Sequence, residues 1–204
     1  MSHSEDPLPA SPDADPREKW DARYRDSERE PVPARVLLEN RHLLPPKGRA
    51  LDLACGLGAN ALLLAELGFE VSAWDLSAVA IDRLTDAASA RDLRIDVQVR
   101  DLQAHPPEHG AFDVIVVVHF LDRALAPKIA AALRSGALLF YQTFTREAVS
   151  DSGPSNPEYR LGVNELLRLF PGLIVRVYRE EGRLGDQTLG TRDVAMLVAE
   201  KPRS

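Results

Sequence analysis

The chain has 204 residues, a hydrophobic fraction of 45%, and 25 basic against 31 acidic residues for a formal net charge of −6. This length suits one domain with a full core and no cross-links. A single Cys excludes an internal disulfide and a Cys-rich zinc site, and the acidic balance makes a poor non-specific binder of nucleic acid. No apolar run approaches the roughly 18–20 residues that cross a membrane. The N-terminus lacks the charged, apolar and small-residue order of a signal peptide, so a cytoplasmic protein is expected.

The first 46 residues hold 8 of the 15 prolines and no glycine. Residues 1–16 are polar, acidic and Pro-rich, and read as a disordered tail. Residues 17–204 read as a single domain. Its first part, 17–46, is expected to form cap helices. One covers Arg17–Asp26, with Trp20 and Tyr24 on one face. A second begins at Val36 and is stopped by Pro45 and Pro46. From Arg49 the pattern becomes regular. A strand at Ala50–Ala54 runs into a Gly-rich turn and a helix at Ala59–Leu67, which is apolar nearly all round and so buried. A strand at Phe69–Trp74 ends at Asp75, an amphipathic helix spans Ser77–Arg91, and a strand at Ile95–Val99 ends at Asp101. Phe112–Val118 is nearly all β-branched, as in a central parallel strand buried on both faces. Pro127 opens a further helix, and Ala137–Phe144 is a fifth strand. A turn-rich loop over 145–162 reads as a binding loop. A short helix at Val163–Phe170 and strands at Leu173–Tyr178 and Val194–Glu200 close the chain, the last two as an antiparallel hairpin. The alternation predicts an α/β, Rossmann-like doubly wound sheet, mostly parallel.

Leu51-Asp-Leu-Ala-Cys-Gly-Leu-Gly-Ala-Asn60 carries the main chemical signal. Glycines between a strand and a helix let a ligand approach the backbone, and amides at the helix start attract polar or anionic groups. Gly56-x-Gly58-x-x-Ala61 alone also fits a dinucleotide loop. Asp75 lies 19 positions past Gly56, where a carboxylate can take both ribose hydroxyls of an adenine nucleoside; as a purely structural residue it would cap the helix at Ser77. Asp101 ends the next strand in the same layer and can accept from an adenine amine.

Asp52-Leu-Ala-Cys-Gly-Leu-Gly58 resembles the first motif of class I S-adenosylmethionine-dependent methyltransferases, and Asp75, Asp101 and Phe112-Asp-Val-Ile-Val116 match their later motifs. The resemblance runs from about Trp20 to Glu200. It implies a seven-stranded sheet with an antiparallel last strand, and S-adenosyl-L-methionine as cofactor. By position it assigns the methionine part to Asp52 and the backbone of Ala54, Cys55, Gly56 and Gly58, with Asn60 at the helix start. It assigns the ribose to Asp75 and the adenine to Asp101, Leu102 and Leu76, with Ser77 beside them. Val118 and His119 fall under the methionine end, and Trp20 and Tyr24 lie on a helix that caps the cofactor. Trp20-Asp-Ala-Arg-Tyr24, His119-Phe-Leu-Asp-Arg123, Tyr141-Gln-Thr-Phe144 and Asn156-Pro-Glu-Tyr159 further resemble the small tellurite-resistance-like methyltransferases.

The resemblance implies methyl transfer to a small soft nucleophile such as a thiol, sulfide or chalcogen oxyanion. His119, Arg123 and Tyr141 are the expected catalytic residues: Arg123 to hold an anionic acceptor, His119 or Tyr141 to move a proton. Asn156, Glu158, Tyr159 and Arg160 are expected to cover the ligand. Cys55 reads as a small buried filler, and Arg91, Arg94 and Arg100 as a solvated face. No metal site is expected, and the partners expected are a small-molecule substrate but neither nucleic acid nor membrane, with the chain a monomer. Two alternatives are a nicotinamide-dependent oxidoreductase using the Gly56 loop and a non-catalytic nucleoside-binding module.

Overall fold

The computed structural model describes residues 15–28 and 30–203. The expected tail lies outside the described residues up to residue 14. Asp15 and Pro16, counted with it, instead start a helix: the Asp15 carboxylate accepts from the Arg17 amide at 3.0 Å, and Pro16 opens the first turn.

Among the described residues, six α-helices and seven strands follow in chain order: α1 (Pro16–Arg25), α2 (Arg35–Asn40), β1 (Arg49–Leu53), α3 (Ala59–Glu66), β2 (Glu70–Asp75), α4 (Ala78–Ser89), β3 (Ile95–Val99), β4 (Phe112–Val118), α5 (Ala126–Ala132), β5 (Leu133–Phe144), α6 (Glu165–Leu169), β6 (Ile174–Arg179) and β7 (Val194–Glu200). One sheet holds all seven strands in the order β3-β2-β1-β4-β5-β7-β6. β1 to β5 run parallel, and β7 is antiparallel to both β5 and β6. β5 starts four residues earlier than its apolar run suggests, because α5 passes directly into it and Leu133 pairs with Phe112.

β4 explains the layering. Ile115 and Val117 pack into one apolar cluster and Val114 and Val116 into the other, so helices cover both faces. Arg100, expected on a solvated face, instead stacks on the Trp74 ring at 3.8 Å and donates to the carbonyls of His105 and Pro106. The parallel strands all end on one side. The order reverses between β1 and β4, and the crevice at such a point is where open α/β sheets place ligands. Facing it are the loops after β1, β2, β3, β4 and β5. Because β6 runs with the parallel strands, the 180–193 connection lies there too.

Candidate active site

The glycine loop is shaped by backbone conformation. Ala54, Gly56 and Gly58 adopt φ of 56°, 52° and 75°, all left-handed. A Cβ on Gly58 would lie 2.3 Å from Leu84 Cδ1, so α4 also demands a glycine there. Three amides ahead of the helix start are engaged within the protein. The Cys55 amide donates to the Trp74 carbonyl, that of Gly56 to Asp75 Oδ2 at 2.8 Å, and that of Gly58 to the Cys55 carbonyl. Close approach to the backbone is what these residues offer a ligand.

Two buried carboxylates flank the loop. Asp52 Oδ2 accepts from the Ala61 amide at 3.0 Å, and burial pushes its carboxyl up to about 8. Asp75 accepts from the Gly56 amide and, at 2.9 Å, from the Ser77 amide; burial raises it as well. Asp75 is thus both a loop brace and a buried acceptor at the end of β2. Asn60 braces the loop: its carbonyl oxygen accepts from the Ala34 amide at 2.9 Å and its side chain also bonds Asp52, tying α2 to the loop. Cys55 is buried and burial raises its thiol.

α1 closes this side. Its Asp21 accepts from the Ser77 hydroxyl at 2.5 Å, while Ser77 Oγ accepts from the Ala80 amide as the cap of α4. The Ser77 hydroxyl is therefore engaged within the protein. Arg83 donates to the carbonyls of Tyr24 and Ser27 at 2.5 and 2.8 Å. Trp20 and Tyr24 stack with centroids 5.8 Å apart, and a Cβ on Gly56 would lie 2.8 Å from the Tyr24 hydroxyl. Tyr24 therefore covers the glycine loop. Burial and the nearby Asp75 raise its phenol. Asp101 Oδ1 caps the next turn, accepting from the Gln103 and Ala104 amides. Leu102 is buried beside Trp74, and Leu76 and Val118 are half-buried.

At the end of β4, His119 is exposed, with φ of 53° and its ring lying on Phe144 at 4.6 Å and 20°. Surrounding protein first, and the charge of Arg23 second, hold its imidazole below the ordinary value, so it is neutral at pH 7. Two of the three expected catalytic residues are corrected. Tyr141 is 1% exposed, and its hydroxyl donates to the Phe120 carbonyl at 2.8 Å, out of reach of an acceptor. Arg123 pairs with Glu165 at 2.6 Å and donates to the Glu158 and Arg160 carbonyls, so four of its five N–H groups are engaged within the protein.

The 145–162 loop is likewise built on internal bonds. Arg160 donates to the carbonyls of Pro154, Thr145 and Ser152, Asn156 caps the short turn at Pro157–Tyr159, and Glu158 pairs with Arg146. These side chains hold the loop, Arg160 lies over the Phe144 ring at 5.7 Å, and Tyr159 is 58% exposed. The sequence reading missed Asp21, Arg23 and Glu165. Trp20, Arg23 and Tyr24 do share helical spacing, which marks Arg23. No local signal pairs Asp21 with Ser77.

A nucleoside cofactor with a methionine-type chain fits this set: a loop in which close contacts leave Gly56 and Gly58 no room for a Cβ, with a buried carboxylate on each side. Among the described residues no group of three His, Cys, Asp or Glu could hold a metal ion, and no helix is long and apolar enough to cross a membrane.

Residues 50–136 match the family described as Methyltransferase domain. A ubiquinone biosynthesis O-methyltransferase of Xanthomonas campestris pv. campestris is 32% identical over 139 residues, 62% of this chain and 56% of that one. TehB of Haemophilus influenzae, named a probable S-adenosyl-L-methionine-dependent methyltransferase, is 36% identical over 83 residues, 40% of this chain and 29% of that one. The chain thus spans between about a third and just over half of the curated relatives it matches. The crystal structure of TehB superposes with a TM-score of 0.67 at 22% identity, covering 90% of this chain and 67% of that one. A structure described under the conversion of a disulfide bond into a thioacetal group during echinomycin biosynthesis gives a TM-score of 0.69 at 26% identity, covering 91% and 92%.

Proposed function

We propose, for a chain related to the class I S-adenosylmethionine-dependent methyltransferases, that it moves a methyl group from that cofactor to a small soft nucleophile: a thiol, sulfide or chalcogen acceptor. The observation that carries the acceptor class is the end of β4. His119 stands there on a left-handed backbone, flat on Phe144, as a neutral imidazole with no carboxylate hydrogen-bonded to it among the described residues. A neutral imidazole takes a proton from a thiol-like group far more readily than from an alcohol, whereas a soft anion needs no base.

When bound, S-adenosylmethionine supplies a sulfonium methyl group whose departure leaves a neutral thioether, S-adenosyl-L-homocysteine. The protein's task is then alignment and exclusion of water. Asp75 offers its carboxylate to the ribose and Asp52 its carboxylate to the ammonium of the methionine chain. Trp20 and Tyr24 cover the loop from α1. His119 and Phe144 wall the acceptor and His119 Nδ1 or Nε2 receives its proton. A nicotinamide reading of the same glycines has less support. Its fold ends in parallel strands, and β7 is antiparallel here.

The test is a methyl-transfer screen with an isotopically labelled donor against thiols, sulfide, selenite, tellurite and small phenols. Turnover with thiol or chalcogen acceptors, reduced at least ~100-fold in His119→Ala for the thiols, supports the reading. Turnover confined to large aromatic, peptide or nucleic-acid acceptors contradicts it.

A further inference from the structure

Phe144 ends β5, and its backbone is fixed from two sides. It pairs with Val194 of β7, and its carbonyl accepts from the Leu161 amide at 2.8 Å. Two neighbours lie against its ring. The His119 imidazole stacks on it at 4.6 Å and 20°. The backbone of Gly153, with φ of 90°, folds back from the 145–162 loop onto the same ring. A Cβ on Gly153 would lie 2.5 Å from Phe144 Cδ1, 2.6 Å from Cγ and 2.8 Å from Cε1. Cγ stays in place when the ring turns about its own axis, so an added carbon at 153 must displace the whole ring. Arg160 holds Gly153 there. Its guanidinium, 5.7 Å from the centre of the Phe144 ring, donates to the carbonyls of Ser152 and Pro154 on either side of Gly153, and to that of Thr145 beside Phe144. Asn156 caps the turn at Pro157–Tyr159 that leads into Arg160.

The imidazole of His119 depends on that ring. Its backbone is anchored, since the His119 amide donates to the Gln142 carbonyl at 2.9 Å. Its side chain is not: among the described residues no hydrogen bond reaches either ring nitrogen. An imidazole that moves protons is ordinarily oriented by a carboxylate or carbonyl on its second nitrogen. Here the stack on Phe144 is what sets its plane, and the loop sets Phe144.

We propose that Phe144 and Gly153 are positioning residues, through which the 145–162 loop aligns the His119 imidazole for taking a proton from a thiol acceptor. The proposal rests on the acceptor reading above. An acceptor that arrives protonated needs the base in line with its S–H bond, whereas one already ionised does not. The loop therefore bears on the first kind of acceptor and leaves the second almost untouched.

Methyl transfer to two thiols at neutral pH tests it. Mercaptoethanol is protonated there and needs a base; para-nitrothiophenol is already a thiolate and needs none. Gly153→Ala is expected to lower kcat for mercaptoethanol by roughly tenfold or more and that for para-nitrothiophenol by less than about twofold. S-adenosylhomocysteine affinity, measured by calorimetry, is expected to stay within about twofold, which also shows that the variant is folded. Phe144→Leu is expected to lose mercaptoethanol turnover in the same way, and Phe144→Tyr, which keeps the ring, to retain most of it. The imidazole proton shifts of His119, identified by their absence in His119→Gln, read the alignment without turnover. Phe144 should shield them in the wild type, Gly153→Ala should change that shielding, and Phe144→Tyr should keep it. Equal losses for the two thiols, or unchanged imidazole shifts in Gly153→Ala, overturn the proposal alone. If the wild-type protein shows the shielding yet methylates neither thiol, the acceptor reading itself falls and the proposal with it.

Discussion

Asp52 and Asp75 sit on neighbouring strands at the same end of the sheet, and burial raises both. A buried carboxylate is costly to ionise unless a ligand makes the charge useful. Asp75→Asn keeps one acceptor for the loop but loses the charge that faces two ribose hydroxyls. It should weaken S-adenosylhomocysteine by ~1.5–3 kcal/mol, the range for hydrogen bonds to a charged group. Unchanged affinity by calorimetry would remove Asp75 from the ribose site. Asp52 makes a prediction about pH. Its folded value of about 8 lies above the ordinary carboxylate value near 4, so the folded state holds the proton more tightly than the unfolded chain. Its contribution to stability is full below pH 4 and is lost as pH rises to 8. Asp75, raised in the same direction, adds the same sign. The melting temperature of Asp52→Asn, measured without ligand, should therefore gain on the wild type between pH 5 and 9. A ligand ammonium beside Asp52 favours the ionised form. S-adenosylhomocysteine affinity should accordingly rise with pH up to about 8, and Asp52→Asn should lose that rise.

The elements around the crevice divide into a clamped side and a docked side. The 145–162 loop is held by Arg123, Arg160 and Arg146, whose partners are mostly carbonyls within the loop and the α6 residue Glu165. α1 is held differently, with no buried residue and with Asp21, Tyr24 and Ser27 meeting α4 through Ser77 and Arg83. A ten-residue helix is marginal alone, so α1 depends on that docking. Arg123→Ala tests the clamped side. It removes the ion-pair partner of Glu165, which keeps only the Gly162 amide, and frees two loop carbonyls, so protease cleavage should concentrate within 146–160 and stability fall by ~1–3 kcal/mol. Affinity for S-adenosylhomocysteine should stay within about twofold. A matched loss of cofactor affinity would mean that Arg123 touches the ligand after all.

At the scale of the molecule, the sheet brings five strand ends to one crevice, and both faces are sealed by helices. A cofactor held there as proposed would touch β1, β2, β3 and β4 together with α1, and so would bridge segments from Trp20 to His119. Binding there should raise the stability of the whole domain. Saturation at about a hundred times Kd adds ~2.7 kcal/mol, or roughly 5–10 °C in Tm for a domain of this size. S-adenosylhomocysteine should produce that shift by calorimetric scan and NAD should produce none. A shift with NAD alone would reverse the choice between the two readings of the glycine loop.

The strands, the helices and the acidic residues at three strand ends were legible in the amino-acid order. Each rests on local pattern: β-branched runs, amphipathic spacing, and glycines where φ is positive. The antiparallel end of the sheet was legible too, since the 15 residues between Tyr178 and Val194 leave no room for a crossover helix. The state of each charge was not. Arg123 looked free beside the methyl-transfer site, yet Glu165 reaches it from 42 residues away. Tyr141 looked like a base until β5 packed it against Phe170 and turned its hydroxyl to the Phe120 carbonyl. Asp21, unremarked in the sequence, meets Ser77 across 56 residues, and Arg23 lies over the Trp20 ring with no carboxylate partner among the described residues. Backbone conformation is set largely by neighbours in the chain, whereas pairing of a charge depends on which distant segment folds within about 3 Å of it. That distance exists only once the chain has closed on itself.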